Sequence, residues 1–180
     1  MRITITSTGQ ARPRRLHLLR HAKSSWDEPW SNDAERPLAP RGRRAAARIG
    51  RHLREAALAP DLVLCSPARR ARETLERLGL PVPARIEPAL YGASAGALLA
   101  LARALPPEHH EVLLIGHNPS LEELGLLLAA PGPLRTALAA KYPTGALATF
   151  ALPGSWAALD AGGARLEAFI RPRDLPGKPA

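Results

Sequence analysis

One cysteine, one methionine, two phenylalanines and two tyrosines are all that 180 residues carry of those types, and aromatic residues together make up 4% of the chain. The lone Cys65 excludes an internal disulfide framework. No stretch approaches the ~20 apolar residues of a membrane-spanning helix, so no membrane partner is expected. Basic residues never run longer than two together. With so few aromatics, that leaves neither a polybasic arm nor a platform for stacking bases. The opening MRITITSTGQARPRR has no apolar segment of the secretory kind; residues 1–14 therefore read as a poorly ordered leader, and a cytoplasmic location is expected.

Positive charge is what the chain has in excess. Lys and Arg number 25 against 16 Asp and Glu, a formal net charge of +9. Such a balance suits an anionic partner: nucleic acid, a membrane surface or a phosphorylated substrate. A coding bias toward Arg, Ala and Pro also produces it. At 46% hydrophobic composition the chain has enough apolar material for one sizeable core.

Short apolar runs alternate with helical patterns. The runs LHLL (16–19), LVLC (62–65) and VLLI (112–115) are nearly continuous, as strands buried on both faces are. ALATFAL (146–152) and LEAFI (166–170) are further strand candidates. Residues 41–58 space Ala45, Ile49 and Leu53 four apart among arginines, which predicts an amphipathic helix. Segments 67–79, 94–105 and 119–130 are also predicted helical, each after a loop containing Pro or Gly. This alternation predicts an α/β fold: a three-layer α/β/α sandwich around a mainly parallel central sheet. Residues 15–171 read as one domain without repeat or linker, and 172–180 as a tail.

Three predicted strands end in polar residues of related character: Arg20-His21, Ser66-Pro67 followed by Arg69-Arg70, and Gly116-His117-Asn118-Pro119. Ligands of open α/β sheets collect at the carboxyl ends of strands, so these loops are candidates for one shared pocket. Ser66-Pro67 and Asn118-Pro119 each pair a good N-cap with a proline suited to the first helical position, although Ser120-x-x-Glu123 offers a competing capping box. Helix N-termini and the forked donors of Arg20 and Arg70 together suit a tetrahedral anion such as phosphate. A neutral imidazole beside such a site is a competent nucleophile toward phosphorus.

At this point LLRHAKSSWD (18–27), ERPLAPRG (35–42), SPARRARET (66–74) and LLIGHNPSLEEL (113–124) resemble the signatures of the histidine phosphatase superfamily, formerly the phosphoglycerate mutase-like group. Short length, RHAKSSWD and GHNPSLEEL make the chain most similar to its SixA-type branch of small bacterial phosphohistidine phosphatases. The resemblance implies a phosphoglycerate mutase-like fold and a phosphatase with no metal or other cofactor. It implies His21 as the nucleophile, with Arg20, Arg70 and His117 as the other catalytic residues. Substrate binding falls to Arg20 and Arg70 again, with Ser66, Arg36 and Asn118. Many members use a carboxylic acid to protonate an alkoxide leaving group, and the nearest candidate for that acid is Glu87 in RIEPALYG. Phosphohistidine needs far less protonic help, because it leaves as imidazole.

The expected substrate is thus phosphohistidine on a protein partner. A small phosphorylated metabolite is the alternative within the same chemistry, and a basic nucleic-acid-binding module the alternative from another class. Other residues read as structural: His17 as packed within a strand, His52 on a helix's polar face, His109-His110 as a solvated loop pair, Cys65 as a buried small hydrophobe and Arg72 as a solvated charge. Lys23, Ser24 and Ser25 touch the phosphate or shape its loop; Trp26 and Trp30 line the rim or cover the core. Oligomeric state is not legible.

Overall fold

The computed structural model describes residues 13–26 and 32–177. The leader expected over 1–14 lies outside them except for Pro13 and Arg14, and Arg14 is already the first residue of a strand. Trp30 is also outside. In chain order the elements are β1 (Arg14–Arg20), α1 (Pro40–Glu55), β2 (Leu62–Cys65), α2 (Arg69–Leu78), β3 (Ala84–Ile86), α3 (Ala95–Arg103), β4 (Glu111–Gly116), α4 (Ser120–Leu128), α5 (Pro133–Ala140), β5 (Leu147–Leu152) and β6 (Arg165–Ile170). Short 3-10 turns at Asp33–Glu35, Pro88–Leu90, Trp156–Ala158 and Pro172–Asp174 complete the chain.

The six strands form one sheet in the order β3-β2-β4-β1-β5-β6. β3, β2, β4 and β1 pair in parallel, and β5 runs against both of its neighbours. The continuous apolar runs of β1, β2 and β4 follow from burial on both faces. On one face Ile49 and Leu53 of α1 and Ala71 and Leu78 of α2 pack on Leu19, Val63 and Leu113. On the other, Leu98 of α3, Leu121 and Leu124 of α4 and Leu138 of α5 cover Leu16, Leu18 and Leu114. Two glycines let α1 lie close. A Cβ on Gly42 would collide with the Lys23 carbonyl, and one on Gly50 with the Leu78 carbonyl.

This topology makes a crevice. The chain leaving β1 enters α1 on one face, whereas the chain leaving the adjacent β4 enters α4 on the other. The connections part between these two strands, so their carboxyl ends stay uncovered.

Four details depart from the sequence reading. The helices after β2 and β4 start at Arg69 and Ser120, later than Ser66-Pro67 and Asn118-Pro119 suggested, with Ala68 and Pro119 as caps. Neither helix start carries a side-chain cap; Ser120 Oγ donates instead to the His117 carbonyl, at 3.0 Å. β3 and α5 were not anticipated. The segment expected as a tail forms the turn at Pro172–Asp174 and lies along α1, where Arg51 donates to the carbonyls of Pro176 and Gly177.

Candidate active site

Strand register alone brings the two histidines together. Arg20 of β1 pairs with Gly116 of β4, so the next residues of each chain, His21 and His117, emerge side by side. The His21 amide donates to the Gly116 carbonyl at 3.0 Å, and the ring centroids are 5.0 Å apart. β2 pairs Cys65 with Ile115, which sets Ser66 one step behind His117. Two strand pairings thus bring four residues that the sequence singled out close together: Arg20, His21, Ser66 and His117.

Hydrogen bonds assign the protons. His21 Nδ1 is 2.8 Å from the Ala22 carbonyl, which can only accept, so Nδ1 carries the hydrogen and Nε2 keeps its lone pair. Arg70 Nε donates toward that Nε2 at 3.3 Å. Burial drives the His21 pKa from 6.5 down to about 3; the Ala22 bond opposes the shift, and His117, Arg70 and Arg20 add to it. His21 is therefore neutral at physiological pH, with the lone pair of Nε2 facing Arg70.

His117 is fixed from the opposite side. Its Nδ1 faces Arg70 Nη2 at 3.4 Å; a guanidinium only donates, so Nδ1 accepts and Nε2–H donates to Ser66 Oγ at 2.7 Å. Burial and then Arg70 hold its pKa at about 4, with Asp33 pulling the other way. Ser66 is fully buried and also accepts from the Ala68 amide. It therefore positions His117 and does not itself face the cup.

Arg70, the first-turn arginine of α2, is 5% exposed and reaches both histidines. Besides both histidines, it donates to the Asp33 carbonyl at 2.7 Å and to Asp33 Oδ2 at 2.9 Å. Its neighbour Arg69 turns away to pair with Glu73. Thr74, one helical turn on, accepts from the Ala22 amide at 3.0 Å and donates to the Arg70 carbonyl at 2.7 Å, locking α2 to the loop that carries His21.

Asp33 was not singled out by the sequence, and neither was Tyr91. Asp33 takes hydrogen bonds from Arg36 Nε at 2.8 Å and the Tyr91 hydroxyl at 3.2 Å, and the Tyr91 ring meets His117 edge-on at 5.5 Å. Burial would raise the Asp33 pKa, but the Arg36 hydrogen bond and the charges of Arg70 and Arg36 hold it below the usual carboxylate value. An ionised carboxylate thus occupies donors of Arg70 that an incoming anion needs.

The remaining candidates stand at one remove. Arg20 is near enough to lower both histidine pKa values; its Nη1 donates to the Tyr142 carbonyl at 2.7 Å, while its Nε is buried without a partner. Asn118 donates to that same carbonyl at 3.3 Å and to Glu122 at 2.7 Å. Arg36 holds Asp33, Ser24 and the Ser25 carbonyl, and stacks on Trp26 at 3.6 Å. Glu87 sits on the loop after β3, where its carboxylate accepts from the Ala89 amide and pairs with Arg85 at 3.1 Å. No described contact takes it to the histidines.

Residues read as structural lie outside the cup. His17 is buried between Thr149 and Glu111, at 3.0 and 3.1 Å, and His109 bonds Asp61. Burial pushes the Cys65 thiol up to about 12, which keeps it protonated. Among the described residues no group of three or more His, Cys, Asp or Glu is gathered to hold a metal ion.

Known proteins resemble the chain over most of its length. Residues 16–122 match the model of the histidine phosphatase superfamily (branch 1). An uncharacterised protein of Mycobacterium tuberculosis strain H37Rv is 38% identical over 159 residues, covering 86% of this chain and 100% of that one. Among solved structures, one from Nakamurella multipartitia that bears the name SixA superposes with a TM-score of 0.80 at 34% identity, covering 89% of this chain and 96% of that one. The protein histidine phosphatase SixA complexed with tungstate gives 0.72 at 26% identity, over 89% and 98%.

Proposed function

The chain belongs to the histidine phosphatase superfamily, and from that premise we propose that it hydrolyses phosphohistidine on a protein partner through a phosphorylated His21. The observation that carries the reading is the unprotonated Nε2 of His21, held in a cup with Arg70, His117 and the nearby Arg20. Two similar structures bear the SixA name, and the tungstate of one is a tetrahedral oxyanion of the kind this cup suits.

In the first step the His21 Nε2 lone pair attacks phosphorus in line. The substrate's P–N bond breaks and its electron pair returns to the departing ring, which leaves as neutral imidazole when its other nitrogen holds a proton. Arg70 transfers its donors from Asp33 to the phosphoryl oxygens, Arg20 turns its unpartnered Nε edge toward them, and charge builds against these fixed groups. The His21 proton stays on Nδ1 throughout, donated to the Ala22 carbonyl, which keeps the ring oriented. In the second step a water oxygen bonds to phosphorus, the P–Nε2 bond breaks with its electrons returning to His21, and both protons of the water leave on the phosphate.

The state of the carboxylates favours a phosphoramidate over an ester. An alkoxide leaving group needs an acid whose pKa lies near the working pH. Glu87 is engaged by Arg85 and a turn amide, and Asp33 is held ionised by Arg36 and Arg70. Such an acid contributes ~100-fold or more where one is present. Comparing kcat/KM for a phosphohistidine peptide with that for phenyl phosphate and a hexose phosphate tests the reading. A preference of about 100-fold for the peptide is expected; a preference for either ester overturns it.

A further inference from the structure

The cup uses only part of the positive charge around it. Helix α1 lines one groove with Arg41, Arg44, Arg48, Arg51 and Arg54. At 100° per residue these side chains fall away from Ile49 and Leu53, which face the sheet. A second groove of about 500 Å³ contains Arg20, Lys23 and Lys141, and it shares Arg41 and Arg48 with the first. The two make one cationic band that begins at the catalytic Arg20. Residues 41–54 alone extend it by ~20 Å at 1.5 Å per residue.

At the far end of the band Arg51 pairs with Glu55 and holds the carbonyls of Pro176 and Gly177, and Arg54 holds the Leu78 carbonyl. Among the described residues the side chains of Lys23, Arg41, Arg44, Arg48 and Lys141 have no hydrogen-bond or ion-pair partner, and the Nε atoms of Arg20 and Arg48 are buried unpaired. Near the cup, Tyr91, which meets His117, is 41% exposed, and Trp26, which stacks on Arg36, is 69% exposed. Exposed Trp, Tyr and Arg together are the side chains that anchor protein interfaces.

We propose that this band is the docking face for an acidic segment of the protein that carries the phosphorylated side chain; the proposal rests on the phosphohistidine reading above. A small metabolite fills the cup and the Arg20–Lys23 end but does not extend along ~20 Å of helix. No aromatic side chain lines either groove, so single-stranded nucleic acid finds no surface to stack on there. An acidic segment running from the phosphorylated side chain onto α1 meets Arg41, Arg44 and Arg48, and the same field steers the encounter.

The test uses two peptides carrying a non-hydrolysable analogue of phosphohistidine, identical except that four glutamates flank the residue in one and four glutamines in the other. Their affinities for the full chain and for a variant combining Arg41→Gln, Arg44→Gln and Arg48→Gln are measured by fluorescence anisotropy. Glutamine keeps the helix propensity of arginine, and the ratio of the two affinities within each protein cancels any general effect of the substitutions. We expect the acidic peptide to bind about tenfold more tightly to the unaltered chain at low salt, equivalent to about 0.5 kcal/mol for each of three charge pairs. The ratio should collapse to about twofold or less in the variant and shrink as salt rises. A ratio near one, or one that the variant leaves intact, overturns the proposal. So does tighter binding of a DNA duplex of equal charge to the same three arginines, which would assign the band to nucleic acid. Hydrolysable versions of the same peptides separate the two claims: docking without turnover removes the substrate reading, and turnover indifferent to the flanking charge removes the docking face.

Discussion

Two histidines kept neutral by burial make the folded state sensitive to acid in a calculable way. An unfolded histidine takes up its proton near pH 6.5, whereas His21 does so at about 3 and His117 at about 4. Below pH 6.5 the unfolded chain therefore binds more protons, so the stability is fully present above that pH and is lost as pH falls toward 3. The loss approaches ~1.4 kcal/mol per pH unit for each such group. Between pH 6 and pH 5 the unfolded histidine is still filling, which gives roughly 1.2 kcal/mol for His21. His117 is partly open to water, and screening makes its share smaller. Together they predict a drop of about 2 kcal/mol over that one unit. Urea unfolding at pH 6.0 and 5.0 measures it, and a His21→Asn/His117→Asn double variant should lose most of the difference. Carboxylates and the other histidines cancel between the two proteins. Equal drops in both would mean that the histidines titrate normally in the fold, and the neutral nucleophile would be lost as an explanation.

Replacing Arg70 by Lys keeps one charge but removes the fork that spans His21, His117 and Asp33; kcat/KM should fall by about 100-fold or more in steady-state turnover, as it does when one preorganised donor is lost elsewhere. Thr74→Val preserves shape and strands the buried Ala22 amide, so the urea midpoint should fall by the equivalent of about 1–3 kcal/mol; an unchanged midpoint would separate α2 from the nucleophile's loop. Asp33→Asn removes the anion that competes for Arg70. Tungstate should then bind a few-fold more tightly by calorimetry, in line with ~1 kcal/mol for a half-exposed pair, and weaker binding would make Asp33 a positioning group and not a competitor.

The sheet was legible where burial on both faces wrote continuous apolar runs: LHLL, LVLC and VLLI became the interiors of β1, β2 and β4. β3 escaped because it is an edge strand of three exposed residues, Ala84–Ile86, paired on one side only. α5 buries only Leu138 and so leaves almost no helical periodicity to read. The four residues at strand ends were legible through order along the chain, since parallel register does the rest. Ser66 and Asn118 were placed in the right loops, but their hydrogen bonds go to His117 and to the Tyr142 carbonyl, details of packing that linear order does not encode. Asp33 was harder still. Asp33 and Glu35 both precede Arg36 in DAER, and only the 3-10 turn decides which carboxylate faces Arg70. Glu87, the nearest match to the acid that the resemblance implies, accepts from the Ala89 amide at the turn after β3, a local contact that linear order does not encode.

The measurement closest to the central claim is the identity of the phosphorylated residue during turnover. Rapid quenching of the full chain with a radiolabelled phosphohistidine peptide, followed by peptide mapping, should yield an acid-labile, alkali-stable phosphoryl group on residue 21. A label on His117 or Ser66, or full turnover by a His21→Ala variant, would contradict the account.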